Sequence, residues 1–244
     1  MRSKLRLLGA LLIAAGALTL AWAGLVWQWQ DPFTYLSNLY EQRQLAASYD
    51  AEAGRFSGGP LSSSSTTSES ATTAPSFDAV REGLRREARR YRAGLGPGDP
   101  LGRLEIPKIG VTQIVVNGTD TETLKKGPGR HLETFLPGEG ELVYVAGHRT
   151  TYGAPFSDID QLQAGDLIRF GLPYATYEYA VTGHRIVPAT YVQALETKGV
   201  EQLALQACWP RFFASHRIIV YAKPVSVRPN GAPSIELATS RADG

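Results

Sequence analysis

The chain has 244 residues, enough for one catalytic-size domain with attachments and short of two large ones. Its 25 Lys and Arg are nearly balanced by 23 Asp and Glu, a formal net charge of +2, so no global basic field argues for a nucleic-acid partner. A single cysteine, Cys208, excludes an internal disulfide and leaves that thiol to packing or to chemistry.

Leu7 to Trp29 contains no Asp, Glu, Lys or Arg. At ~1.5 Å per helical residue this run spans roughly 34 Å, enough to cross a ~30 Å hydrocarbon core. A cleaved secretory signal is the competing reading, but its apolar region is ordinarily about 7 to 15 residues. Arg2, Lys4 and Arg6 precede the run, and Asp31, Glu41 and Arg43 follow it. The positive-inside rule therefore assigns a single-pass anchor, with the N-terminus cytoplasmic and the remainder extracellular. Trp22, Trp27 and Trp29 suit the outer interface. Residues 1–30 are thus read as cytoplasmic N-terminus and transmembrane anchor.

Residues 31–76 are read as a juxtamembrane segment and stalk. Pro32 to about Asp50 predicts a short helix with Leu36, Leu39 and Tyr40 on one side, and its pattern fades after Leu45. Ser57 to Ser76 is dominated by Ser, Thr, Gly and Pro, a composition that cannot bury enough apolar surface to fold. Neither piece is expected to contribute to a core. In 77–97, Phe77, Val80, Leu84, Ala88, Tyr91 and Leu95 recur every three or four residues, which predicts an amphipathic helix docked on the next domain. Its arginine-rich opposite face reads as solvated.

From 98 to 228 the signal changes to short β-type runs separated by Gly and Pro. Strands are predicted near Arg103 to Ile106, Gln113 to Val116, Glu141 to Ala146, Leu167 to Phe170, Tyr177 to Val181, Arg185 to Val187, Gln202 to Ala207 and Arg217 to Ala222. Helical turns fit Glu122 to Lys126 and Phe156 to Leu162. The fold class is all-β with short helices, a sandwich or closed barrel. Residues 229–244 read as a flexible tail.

Three residues stand out for chemistry. Cys208 ends a strand before Trp209-Pro210, and a period of two puts it with Ala204 and Gln206, opposite Leu203, Leu205 and Ala207. Arg217 begins a strand whose core face is Ile218, Val220 and Ala222 only in alternation, so Arg217 can share the face of Cys208 while His216 projects oppositely. His148 follows the apolar run Leu142 to Gly147 and lies at a strand end, where sites collect. Gly183-His184-Arg185 repeats the Gly-His-Arg tripeptide, so spacing alone leaves His148 and His184 in competition. No dense carboxylate loop or Cys/His cluster calls for a metal.

Several blocks in a fixed order bear on that choice: Gly102-Arg-Leu-Glu-Ile-Pro-Lys-Ile-Gly110, Gly127-Pro-Gly129, Pro137-Gly-Glu139, Ala146-Gly-His-Arg149 with Thr151-Tyr-Gly-Ala-Pro-Phe156, Cys208-Trp-Pro210 and Arg217-Ile-Ile-Val220. Together they resemble the sortases, cysteine transpeptidases, over roughly Gly102 to Val225. The Tyr-Gly-Ala-Pro-Phe stretch is most like class E. The resemblance implies a closed eight-stranded β-barrel preceded by a transmembrane helix. It also assigns the catalytic positions to His148, Cys208 and Arg217 and gives His184 none.

The implied reaction cleaves a C-terminal sorting signal through a thioester and passes the protein to an amine on a peptidoglycan precursor or a pilin. The implied partners are secreted proteins bearing such signals, the acceptor amine and the membrane, with no cofactor and no nucleic acid. A thiolate must attack and an acid must protonate the leaving amine. At reference pKa values near 8.5 and 6.5, roughly 3% of thiols and about a quarter of imidazoles carry the needed charge at pH 7, so slow turnover is expected without local tuning. Ala204 and Ala207 stand where the family usually has threonines. That departure motivates an alternative, a catalytically silent, membrane-tethered peptide-binding domain, beside a pilin-polymerising sortase with a lysine acceptor.

Overall fold

The computed structural model describes residues 2–29, 32–57 and 77–237. The predicted stalk after Ser57, the last residues of the tail and the side chains of Trp27 and Trp29 lie outside the described residues. Three helices come first: Arg2–Trp29 (α1), Pro32–Ser57 (α2) and Phe77–Gly94 (α3). The apolar stretch Arg2–Gly24 is long and apolar enough to cross a membrane, and none of its described side chains is buried against the rest of the chain.

The strands follow as Pro100–Ile106 (β1), Val111–Asn117 (β2), Gly129–Arg130 (β3), Leu142–Ala146 (β4), Leu167–Gly171 (β5), Ala175–Pro188 (β6), Gln202–Trp209 (β7), His216–Pro229 (β8) and Ile235–Glu236 (β9), with one short helix, Thr121–Lys126 (α4), between β2 and β3. The sheet order is β6-β5-β1-β2-β3-β4-β7-β8, and β8 returns to pair with β6. Eight strands therefore close into a barrel, which removes every free edge within the cycle. β2/β3 and β4/β7 are parallel; the other pairs are antiparallel.

Eight strands were expected, yet three assignments differ in detail. Tyr177 to Val181 and Arg185 to Val187 are one 14-residue strand, β6, interrupted by a register shift between Val181 and Gly183. The two-residue β3 was not expected, because a Gly-Pro-Gly context carries no apolar alternation. Within the predicted flexible tail, Ile235–Glu236 forms β9 on Ser226 and Val227 of β8.

The barrel interior is filled by Leu104, Ile106, Val143, Val145, Ile168, Phe170, Leu203, Leu205, Ile218 and Val220, all inward-facing members of alternating strands. α3 inserts Leu84, Ala88 and Tyr91 into the same core, and Tyr91 meets Tyr174 edge-on with ring centroids 6.0 Å apart. Arg92 fixes the helix further through a bidentate pair with the buried Glu139, at 2.7 and 3.0 Å.

α2 also packs on the barrel, a contribution its sequence pattern did not announce. Leu45 and Tyr49 cover Ile114 and Val116 of β2, the Gln42 amide bonds the backbone of Ile114 in both directions (2.7 and 3.1 Å), and Tyr49 donates to the carbonyl of Gly171 at 3.0 Å. The docked stripe runs Asn38, Gln42, Leu45, Tyr49, Ala53. Helical spacing is kept, but two of the five anchors are polar, so hydrophobic periodicity fades where the contact continues.

Candidate active site

Strand register brings the three predicted residues to one edge of the barrel. β4 and β7 run parallel with Ala146 opposite Gln206, and both end at the same edge; two residues further along each chain are His148 and Cys208. β8 runs antiparallel to β7, so its beginning lies at that edge, and Arg217 is the direct partner of Cys208. Paired residues on adjacent antiparallel strands have Cα atoms about 4.5 to 5.5 Å apart. The thiol is partly accessible, as are His148 and Arg217.

His184 is not brought there. The row across the sheet at the edge is Cys208, Arg217, Val187, and His184 pairs with Val220, three positions further along β6. At ~3.3 Å per strand residue that is about 10 Å from the edge. It lines a separate cavity of about 530 Å³ with Tyr191, Glu196 and Lys198. His216 is exposed beside Ser215, its Nδ1 3.0 Å from that hydroxyl.

The environment of His148 is specific. Gly147 before it donates to the carbonyl of Gln206 at 2.9 Å, and any Cβ at Gly147 would lie 2.5 Å from the Phe156 ring, so only glycine lets the chain leave β4 here. The imidazole Nδ1 lies 3.4 Å from the Thr151 hydroxyl, and its Nε2 is buried without a hydrogen-bond partner among the described residues. Desolvation by burial lowers the pKa of His148 below its usual value, because the charged imidazolium loses water.

Arg217 donates from Nη1 to the carbonyls of Ala214 (2.8 Å) and His216 (2.9 Å), which ties its guanidinium to the β7–β8 connection and leaves its other donors for a ligand at the edge. Among the described residues no group of three or more His, Cys, Asp or Glu is arranged to hold a metal ion.

Comparison with known proteins gives this edge a context. Residues 104–225 match the Sortase domain. The chain belongs to the sortase family. It is similar to sortase D of Bacillus subtilis, 34% identical over 134 residues that cover 53% of this chain and 66% of that protein. It is also similar to sortase SrtE1 of Streptomyces coelicolor, 30% identical over 159 residues, 58% of this chain and 45% of the relative. The matched regions thus span about two thirds of one relative and under half of the other. Among solved structures, sortase E1 from Streptomyces coelicolor with a tripeptide in the active site matches with a TM-score of 0.52 and 26% identity, covering 57% of this chain and 98% of that one. A Clostridium perfringens sortase D5 transpeptidase matches with a TM-score of 0.52 and 25% identity over 59% and 92%. Relatives come from more than one sortase class.

Two features of this sortase were not singled out from sequence. The first is Arg149, only 4% exposed, which pairs with Asp160 at 2.8 Å, stacks 4.5 Å from the Trp209 ring centre, and donates to the carbonyls of Ser157 (3.3 Å) and Cys208 (3.4 Å). One guanidinium thereby ties the loop after His148 to the strand end that carries the thiol, aided by Arg211, which reaches the Ser157 carbonyl (2.6 Å) and Asp158 (2.9 Å). The Gly-His-Arg tripeptide contained the signal, but an arginine in a loop reads as a surface charge until its partners are known.

The second is an apolar cluster outside the barrel, where Leu142, Tyr144, Ala204 and Ile219 are covered by Val187, Ala194 and the flanking Tyr191. It contains one of the two alanines. Ala204 is packed into this cluster and Ala207 into the barrel core, and both are fully buried. Tyr144 donates to Gln206 on the same outer face, two residues before Cys208.

Proposed function

We propose that the chain is a membrane-anchored, externally facing cysteine transpeptidase that cleaves a C-terminal sorting signal through a thioester and transfers the protein to a cell-wall amine. In this reading residues 1–30 are the cytoplasmic N-terminus and anchor, 31–76 the juxtamembrane segment and stalk, and 98–228 the catalytic domain. The observation that carries it is the register at the barrel edge, where Cys208 pairs with Arg217 and His148 extends the neighbouring parallel strand to the same level.

The steps follow from those groups. The Cys208 thiolate attacks the scissile carbonyl, and the carbon–sulfur bond forms as the carbonyl π electrons move to oxygen. Arg217 supplies fixed positive charge and donors to the oxyanion or to the substrate backbone beside it. Collapse of the adduct breaks the C–N bond, and the His148 imidazolium gives its proton to the leaving amine. The thioester is then attacked by the acceptor amine, whose proton neutral His148 removes as Cys208 departs as thiolate. Enzyme and protonation states are restored.

The test uses the soluble domain and a panel of leucine-alanine and leucine-proline sorting peptides, with acyl products and trapped acyl-enzyme read by mass spectrometry. Cys208→Ala is expected to eliminate the acyl-enzyme, His148→Ala to abolish turnover with the fold retained, and Arg217→Lys to be severely impaired because an ammonium lacks the guanidinium fork. His184→Ala should keep most activity. A dead His184→Ala beside an active His148→Ala overturns the assignment, and a chain that never forms a thioester is a binding domain.

A further inference from the structure

The loop that follows His148 adopts a backbone it would not hold alone. Tyr152 (φ 51°), Gly153 (φ 73°) and Ala154 (φ 39°) are three consecutive residues in the left-handed region, and two of them carry a Cβ. An L side chain disfavours this region, so the conformation persists only where neighbours over-determine it. Tyr152 packs on His148 with ring centroids 5.0 Å apart, and Thr151 contacts its Nδ1, so the loop's shape sets the imidazole's position.

What over-determines the loop is α2. The Tyr152 amide donates to the Thr34 hydroxyl at 3.1 Å. Asn38, 2% exposed, presses so closely on Gly153 that any Cβ there would lie 2.4 Å from the Asn38 Oδ1. The same asparagine donates from Nδ2 to the carbonyls of Lys126 (3.1 Å) and Lys125 (3.3 Å), anchoring itself on the end of α4. These contacts occupy the first two turns of a helix that begins three residues after α1 ends. Three extended residues reach at most about 11 Å, so the His148 loop is held within a short covalent reach of the apolar helix whatever the joint between them.

From this we infer that Thr34 and Asn38 are positioning residues for His148, so that the helix leading out of the apolar anchor is part of the catalytic apparatus. The inference rests on the transpeptidase reading for its activity arm only; its structural arm stands on the loop. A control lies in the same helix. Tyr49, about four turns beyond Thr34, docks instead on Gly171 at the end of β5.

The experiment compares full-length Thr34→Val, Asn38→Ala and Tyr49→Phe in detergent micelles, with histidine labelled for NMR and hydrolysis followed with whichever panel peptide wild type cleaves fastest. Thr34→Val and Asn38→Ala are expected to broaden or double the His148 ring signal and to lower kcat about tenfold, with KM within twofold. Tyr49→Phe should leave both unchanged. A single sharp His148 signal in both loop-facing variants, or an equal loss of kcat in Tyr49→Phe, overturns the inference. Where wild type cleaves no panel peptide, the transpeptidase reading fails on its own and the ring signals alone decide the role of α2.

Discussion

Burial of His148 sets opposing demands on one imidazole. Its Nε2 is kept free of protein partners, which suits a group that must deliver a proton, but desolvation pulls its pKa down and reduces the imidazolium available near neutrality. The folded pKa lies below the unfolded value of about 6.5, so the folded protein binds fewer protons there, and the stability tied to neutral His148 is complete above that pH and is lost as pH falls through the folded pKa. For catalysis by thiolate and imidazolium, the active form is the singly deprotonated pair, and the acid limb of kcat/KM follows the group with the lower pKa. That limb is expected below pH 6.5, measured with a sorting peptide at subsaturating concentration. A limb at or above 6.5 means that the desolvated imidazole is not the titrating group in the free enzyme.

At the scale of elements, one carboxylate joins three of them. Glu201, just before β7, accepts from the Tyr179 hydroxyl of β6 at 2.8 Å and from the backbone amides of Gly138 and Gly140 at 2.9 and 3.2 Å, and burial raises its pKa. Glu201→Ala removes the acceptor from three donors beside an open cavity, and unsatisfied buried groups cost ~1 to 3 kcal/mol each. A loss of about 2 to 4 kcal/mol in urea unfolding is expected, tempered by water entering the space. Glu201→Gln keeps an oxygen for the two glycine amides and can donate to the Tyr179 oxygen, so its loss should be about 1 kcal/mol or less. Equal losses in the two variants would mean that the negative charge, not the hydrogen-bonding capacity, is what the turn requires.

The same scale shows what sequence could and could not convey. Alternation located β1, β2, β4, β5 and β7 within a few residues because each presents one face to the barrel interior. Period-two reading also put Cys208 and Arg217 on one face, which their direct pairing matches. Choosing His148 over His184 lay beyond spacing, since both follow glycine and precede arginine; it took the family-like blocks, and the register places His184 about 10 Å along its strand from the edge that His148 follows. Arg149 was hidden because its role depends on Asp160 and Trp209, contacts that no local pattern encodes. The helix of α2 was legible as far as about Asp50, but its docking on the barrel was hidden because Asn38 and Gln42 anchor it through backbone hydrogen bonds, which leave no hydrophobic period.

For the whole molecule, the question is where the autonomous unit begins. None of the described side chains of Arg2–Gly24 is buried against the barrel, so cutting after residue 30 removes the apolar helix and is expected to give a monodisperse protein without detergent. Cutting after residue 76 also removes α2, which bares Ile114 and Val116 and deletes the bonds of Tyr49, Gln42 and the Asp50–Arg103 pair. Burying a Leu or aromatic side chain stabilises by about 1.5 to 3 kcal/mol, and the exposed ion pair adds at most about 1, against an ordering cost for the helix that part of this offsets. A net loss of about 2 to 4 kcal/mol follows, a large share of the ~5 to 15 kcal/mol that holds an ordinary domain together. The barrel, closed through β6 and β8 and capped by α3, should still fold. The protein starting at residue 77 is therefore expected to unfold at lower urea than the one starting at residue 31, with a similar m-value and a tendency to associate through the bared β2 surface. Coincident urea midpoints for the two proteins would show that α2 contributes nothing to the folded barrel in solution, and would return the boundary of the catalytic unit to α3.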